Sequence, residues 1–92
     1  MLTLQKPAQA GTLESSDMLV AIIPAPKGAG IQINLISPTK QQYGNHIRNL
    51  IEKILQEHGV TDAEIEANDK GAVDFVIEAR MKTAILRAAE AQ

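Results

Sequence analysis

The chain has no cysteine and no tryptophan, and its 92 residues include one tyrosine, Tyr43, and one phenylalanine, Phe75. Without cysteine there are no disulfides and no thiolate chemistry from the polypeptide, so any thiol used in function has to arrive with a cofactor. The scarcity of aromatics, the net charge of −2 and the absence of a basic run leave neither the stacking platform nor the electrostatic footprint of a nucleic-acid binder. The longest apolar stretch, Met18 to Ala25, is far too short for a membrane span. The N-terminus lacks the charged-then-apolar pattern of a secretion signal. The expectation is a cytoplasmic protein with no nucleic-acid or membrane partner.

What is present suits one small domain over residues 1–92, with a modest core for a chain of this length. Residues 1–10 show no clear period and read as an extended lead-in. Met18 to Ile23 is short, rich in β-branched residues and bounded by turn formers, which predicts a strand. A loop follows at Pro24-Ala25-Pro26-Lys27-Gly28-Ala29-Gly30. Ile31, Ile33 and Leu35 alternate with Gln32 and Asn34, a second strand, and the two strands are expected to form an antiparallel hairpin. Ser37-Pro38 is a helix opening; Thr39 with Gln42 offers a capping-box start two residues later. Tyr43, Ile47, Leu50, Ile51, Ile54 and Leu55 then make one apolar stripe, ended by Gly59 as the C′ residue with Val60 beside it. Ala63, Ile65 and Ala67 alternate with Glu64, Glu66 and Asn68 in a third strand. Asn68-Asp69-Lys70-Gly71 is a turn, and Val73, Ile77, Met81, Ala84, Ile85 and Ala88 repeat at helical spacing.

The predicted order is ββαβα: an α+β fold with strands near 18–24, 31–36 and 63–68 in a small antiparallel sheet, and helices near 38–58 and 72–90 on one face. A four-helix bundle is excluded. Ile47, Ile51, Ile54, Ile77, Met81 and Ile85 are the expected core.

Several features imitate chemistry. His46 and His58 are twelve positions apart, too far for the near-neighbour spacing of a shared metal site, and His58 suits the C-terminal end of a helix dipole. Glu64 and Glu66 share a strand face and read as a solvated edge rather than an acid/base pair. Gly28-Ala29-Gly30 lacks the strand–turn–helix setting of a phosphate loop and reads as hairpin flexibility. Asp69 and Lys70 lie in a turn, where docking residues concentrate. No constellation of nucleophile, base and orienting group is apparent.

The remaining candidate is Gly11-Thr12-Leu13-Glu14-Ser15-Ser16-Asp17, two small hydroxyls between two carboxylates in a stretch that favours tight reversal. Local chemistry does not separate Ser15 from Ser16. This segment, the Lys40-Gln41-Gln42-Tyr43-Gly44 step with Ile47-Arg48, Gly59-Val60-Thr61, and Asp69-Lys70-Gly71-Ala72-Val73-Asp74 running into Ile77-Glu78-Ala79-Arg80 together resemble the citrate lyase acyl carrier (gamma subunit) family. The chain departs from the family pattern by one additional Gln, or a shifted Lys, in the second segment.

The resemblance implies a non-catalytic carrier subunit. It implies a 2′-(5″-triphosphoribosyl)-3′-dephospho-coenzyme A group joined by a phosphodiester to Ser15, the Ser after Glu14, with Ser16 as the neighbouring candidate. It implies acetyl and citryl thioesters carried on that group while citrate is cleaved to acetate and oxaloacetate. The implied partners are the alpha (acyl transferase) and beta (citryl lyase) subunits, a prosthetic-group transferase and an acetylating ligase. The carrier of malonate decarboxylase, which uses the same group, and a small α+β interaction module without a cofactor are the alternatives.

Overall fold

The structure is a computed structural model that describes residues 3–38 and 40–90. Its elements are β1 (Ala8–Ala10), β2 (Met18–Pro24), β3 (Ile31–Ile36), α1 (Lys40–Glu57), β4 (Ala63–Asp69) and α2 (Asp74–Ala89). The five expected elements are present in the expected order, and the lead-in contributes one more short strand, β1. The Thr39 cap lies outside the described residues.

The sheet runs β1-β2-β4-β3. β1 and β2 are antiparallel, as are β2 and β4, while β3 and β4 are parallel. The expected β2–β3 hairpin therefore does not form, and the sheet is mixed. β2 and β3 do run in opposite directions, but β4 lies between them. The reason is α1: a helix that leaves β3 and returns the chain to β4 is a crossover, and a crossover makes its two strands parallel. The 25–30 loop has to pass beneath the foot of β4 to reach β3. Asp62, just before β4, holds it there: the Gly28 and Gly30 N–H groups donate to Asp62 Oδ1 at 3.0 and 2.7 Å. The loop is thus a clamp rather than a flexible hairpin. The Gly30 amide first, then Thr61 and the Gly28 amide, with Lys27 nearby, lower the Asp62 pKa.

The alternation of the strands sorts the sheet into two faces. Met18, Val20 and Ile22 of β2, Leu35 of β3, and Ala63, Ile65 and Ala67 of β4 are buried beneath the helices. α1 supplies Ile47, Ile51, Ile54 and Leu55, and α2 supplies Ile77, Met81, Ala84, Ile85 and Ala88. All six expected core residues are in this cluster. Tyr43 and Val73 depart from the expected stripes: both are exposed. Gly44 is buried where Tyr43 was expected to point inward. Val73 precedes the first turn of α2 as its N-cap residue.

The termini of the elements are satisfied locally. Gly59 has φ 72°, and the Val60 N–H donates to Leu55 O at 2.9 Å, the six-to-one bond of a Schellman ending. His58 Nδ1 lies 2.9 Å from Ile54 O, so it engages a last-turn carbonyl. The Gln5 N–H donates to Ala88 O at 2.7 Å, fastening the lead-in to the end of α2. An arginine reaches each outer strand: Arg87 donates to Gln9 O of β1 at 2.9 Å, and Arg48 to Ile33 O of β3 at 2.8 Å. Occupied carbonyls make an edge a poorer template for pairing with another chain. Glu64 and Glu66, expected on such an edge, instead stand on the open face of the interior strand β4, where Asn34 Nδ2 donates to both.

Candidate functional site

The β1–β2 connection, residues 11–17, stands at the end of the sheet where β2 begins, β3 and β4 finish and both helices start. Its conformation is over-determined. Gly11 adopts φ 97°, and a Cβ there would lie 1.8 Å from Met18 O, so only glycine lets the chain pass that carbonyl. Next comes a four-residue reversal in which the Asp17 N–H donates to Glu14 O at 3.1 Å. Ser16 occupies its third position with φ 68°, a conformation that polar turn residues tolerate better than branched ones.

Asp17 is the anchor. Arg80 of α2 donates through Nε and Nη2 to its two oxygens at 2.8 and 2.9 Å, a bidentate, charge-assisted pair. Thr12 Oγ1 donates to Asp17 Oδ2 at 2.7 Å, and the Met18 N–H to Oδ1 at 2.7 Å. These bonds, Arg80's first, hold the carboxyl well below the usual carboxylate range. The Ser16 N–H donates to Lys70 O at 2.8 Å, and the Lys70 N–H to Asp17 O at 2.9 Å, so the loop is also stitched to the turn after β4. That turn is fixed from within by Asp69, 1% exposed, which accepts from Ser37 Oγ at 2.8 Å and from the Gly71 and Ala72 N–H groups at 3.2 and 2.9 Å.

Ser15 and Ser16 are both exposed at the tip of this pinned reversal. A shallow groove beside it is lined by Leu13, Ser15, Ile36, Ser37, Pro38, Asn68, Asp69 and Lys70; Ser16 is outside the lining. Of the expected site residues, the structure thus brings Ser15, Asp69 and Lys70 together. Glu14 is exposed on the same reversal, and its N–H donates to Thr12 Oγ1 at 3.2 Å. The arrangement offers an accessible primary hydroxyl on a rigid support, with Lys70 lining the same groove. Among the described residues no group of three His, Asp or Glu side chains could hold a metal ion. His46 Nε2 instead lies 2.9 Å from Asp74 Oδ1, joining α1 to the start of α2.

Sequence reasoning missed Arg80 as the partner of Asp17 and Asp62 as the partner of the glycine loop. Each pair is formed by residues remote in sequence, 63 positions apart for the first. Neither pair leaves a local signal in the sequence.

Large apolar side chains gather at the same end of the molecule. Leu13, Ile36, Tyr43, Val73 and Phe75 are all more than half exposed, and each belongs to the loop, to β3's last residue or to the first turn of a helix or the residue before it.

The family described as malonate decarboxylase delta subunit matches residues 5–88. The citrate lyase acyl carrier protein of Clostridium perfringens is 46% identical over 97% of this chain and 87% of its own length. That of Streptococcus equi is 49% identical over 96% of this chain and 85% of its own. Among solved structures, a crystal structure of a Pseudomonas malonate decarboxylase hetero-tetramer in complex with malonate contains a chain matching with a TM-score of 0.69 at 21% identity, over 96% of this chain and 92% of that one. At that identity the likeness speaks for the fold.

Proposed function

Because the chain belongs to the citrate lyase acyl carrier protein family, we propose that it is the acyl carrier (gamma) subunit of a citrate lyase and that Ser15 bears its prosthetic group. The observation that carries this is the exposed Ser15 hydroxyl, on a reversal held by Gly11, Asp17 and Arg80, opening onto a groove that also contains Lys70. An attachment point needs an accessible nucleophile that does not wander, and Lys70 complements a phosphodiester there. The chain has no thiol of its own, so the 2′-(5″-triphosphoribosyl)-3′-dephospho-coenzyme A group fits as the source of one. When bound, it would supply a thioester, which stabilises an adjacent enolate better than a carboxylate does. In the loading reaction the Ser15 oxygen forms a bond to phosphorus, the bond to the departing pyrophosphate breaks, and the hydroxyl proton passes to solvent. The polypeptide itself positions and presents; tethering keeps the acyl group at high effective concentration before each partner active site.

The exposed apolar side chains at the Ser15 end of the fold suit repeated docking of a transferase, an acetylating ligase and the alpha and beta lyase subunits. A cytoplasmic place follows from that role, and no helix among the described residues is long and apolar enough to cross a membrane.

Intact-mass measurement and peptide mapping of protein from a citrate-cleaving host test the assignment. The expected result is one adduct on Ser15, absent in Ser15→Ala, with loading retained in Ser16→Ala. An adduct on Ser16 with Ser15 bare would move the site and keep the function. No adduct in such a host would remove the carrier reading.

The family description and the fold likeness favour one second reading, the carrier of malonate decarboxylase. The citrate lyase names of relatives at 42–49% identity weigh for the first. Reconstitution with each set of partner subunits separates them: turnover of citrate is expected, and turnover of malonate alone would select the second.

A further inference from the structure

The groove at Ser15 does not end at the loop. Ile36 and Asn68, which line it, also line a trough on the helix-free face of the sheet, together with Leu19, Ala21, Asn34 and Glu66 among others. The register makes the trough two rows, Ile36, Asn68 and Leu19 nearest the loop, then Asn34, Glu66 and Ala21, with Arg48 of α1 beside them. Its volume of about 360 Å³ is that of a small-molecule site.

We propose that this trough is the resting place of the group carried on Ser15, and that it receives the uncharged, amide-bearing portion of that group. The inference rests on the reading of Ser15 as the attachment point. Three observations select the occupant. The trough shares two residues with the Ser15 groove, so a group bound there enters it without crossing a ridge of the fold. Asn68 Oδ1 is buried and has no hydrogen-bond partner among the described residues, a costly state that an amide relieves by donating to it. Charge in the trough is balanced, Arg48 against Glu66, so its lining calls for an uncharged guest. The two neutral amides and alkyl segments of a pantetheine arm there meet Leu19 and Ala21 on the β2 side and Ile36 and Asn34 on the β3 side, with Asn68 between them.

The test compares the backbone and side-chain amide NMR signals of the full chain before and after loading by coexpression with a prosthetic-group transferase, with intact mass reporting the extent of loading. Docking is expected to shift Leu19, Asn34, Glu66 and Asn68, the Asn68 side-chain amide included, as well as residues 11–17. Ile36 is 67% exposed, so Ile36→Glu leaves the core intact. In the loaded variant the shifts at Asn34 and Glu66 are expected to disappear while those in the loop remain. Asn34→Asp, which adds a charge away from the Ser15 groove, is expected to do the same. A fully loaded wild type whose shifts stop at the loop overturns the docked arm and leaves the carrier reading standing. A chain that keeps its unmodified mass beside a competent transferase supplied with the 2′-(5″-triphosphoribosyl)-3′-dephospho-coenzyme A donor overturns both.

Discussion

Gly11 has no room for a methyl group. A side chain there would meet Met18 O at 1.8 Å and would also have to adopt φ 97°. Gly11→Ala is expected to destabilise the protein by more than about 1 kcal/mol and to slow loading of Ser15, because the loop must shift; urea unfolding and the mass of protein recovered with a transferase read the two effects. Asp17 makes a different demand. Its folded pKa lies below the ordinary value of 3.8 because Arg80 favours the charged form. Its contribution to stability is therefore complete above the unfolded value and is lost as the pH falls through it toward the folded one. Asp17→Asn should lower the urea midpoint at neutral pH and flatten its decline over about pH 5 to 2; a variant whose acid branch is as steep as that of the wild type would show that Asp17 does not supply it. Ser15 could be singled out in the sequence only by family likeness. What makes it presentable, the salt bridge from Arg80 and the stitch to Lys70, joins positions far apart in the chain and leaves no local trace.

At the scale of elements, the strongest prediction concerns α1. Ile51 and Ile54 are 0% and 1% exposed, and truncating either to Ala should cost about 2–5 kcal/mol, measured by chemical unfolding with an unchanged far-UV spectrum before the transition. Periodicity made both helices and three strands legible, since inward and outward positions differ sharply in polarity. Strand order was less legible. The Pro/Gly loop at 24–30 resembles a hairpin connection, and the outward Glu64 and Glu66 give β4 the look of an edge. Both signs mislead for one reason: the far side of the sheet carries no helices, so an interior strand can display charges. The informative clue was α1 itself, since a long helix between two strands implies a parallel pair. Strand β1 was hidden because three residues carry too little pattern, and its place depends on pairing with β2 and on the fastening of Gln5 to α2.

At the scale of the molecule, the two depressed carboxylates secure opposite ends. Asp17 precedes β2, whereas Asp62 precedes β4, whose Ala63 pairs with Pro24 at the far end of β2. With no shared partners, their effects should add: the shift in urea midpoint of Asp17→Asn combined with Asp62→Asn is expected to equal the sum of the single shifts, and a large departure from the sum would reveal coupling through the sheet. The insertion of β4 between β2 and β3 has its own consequence for the history of the chain. On a ribosome, β2 and β3 emerge before the strand that must separate them, and they share no ladder of their own. A nascent chain cut at residue 60 has helix-forming sequence but only the short β1–β2 ladder to assemble, and should lack cooperative unfolding; adding the 61–92 segment in trans should restore it. Residues 61–92 are the keystone of those before them, so Ser15 becomes a presented serine only after β4 and α2 have been made.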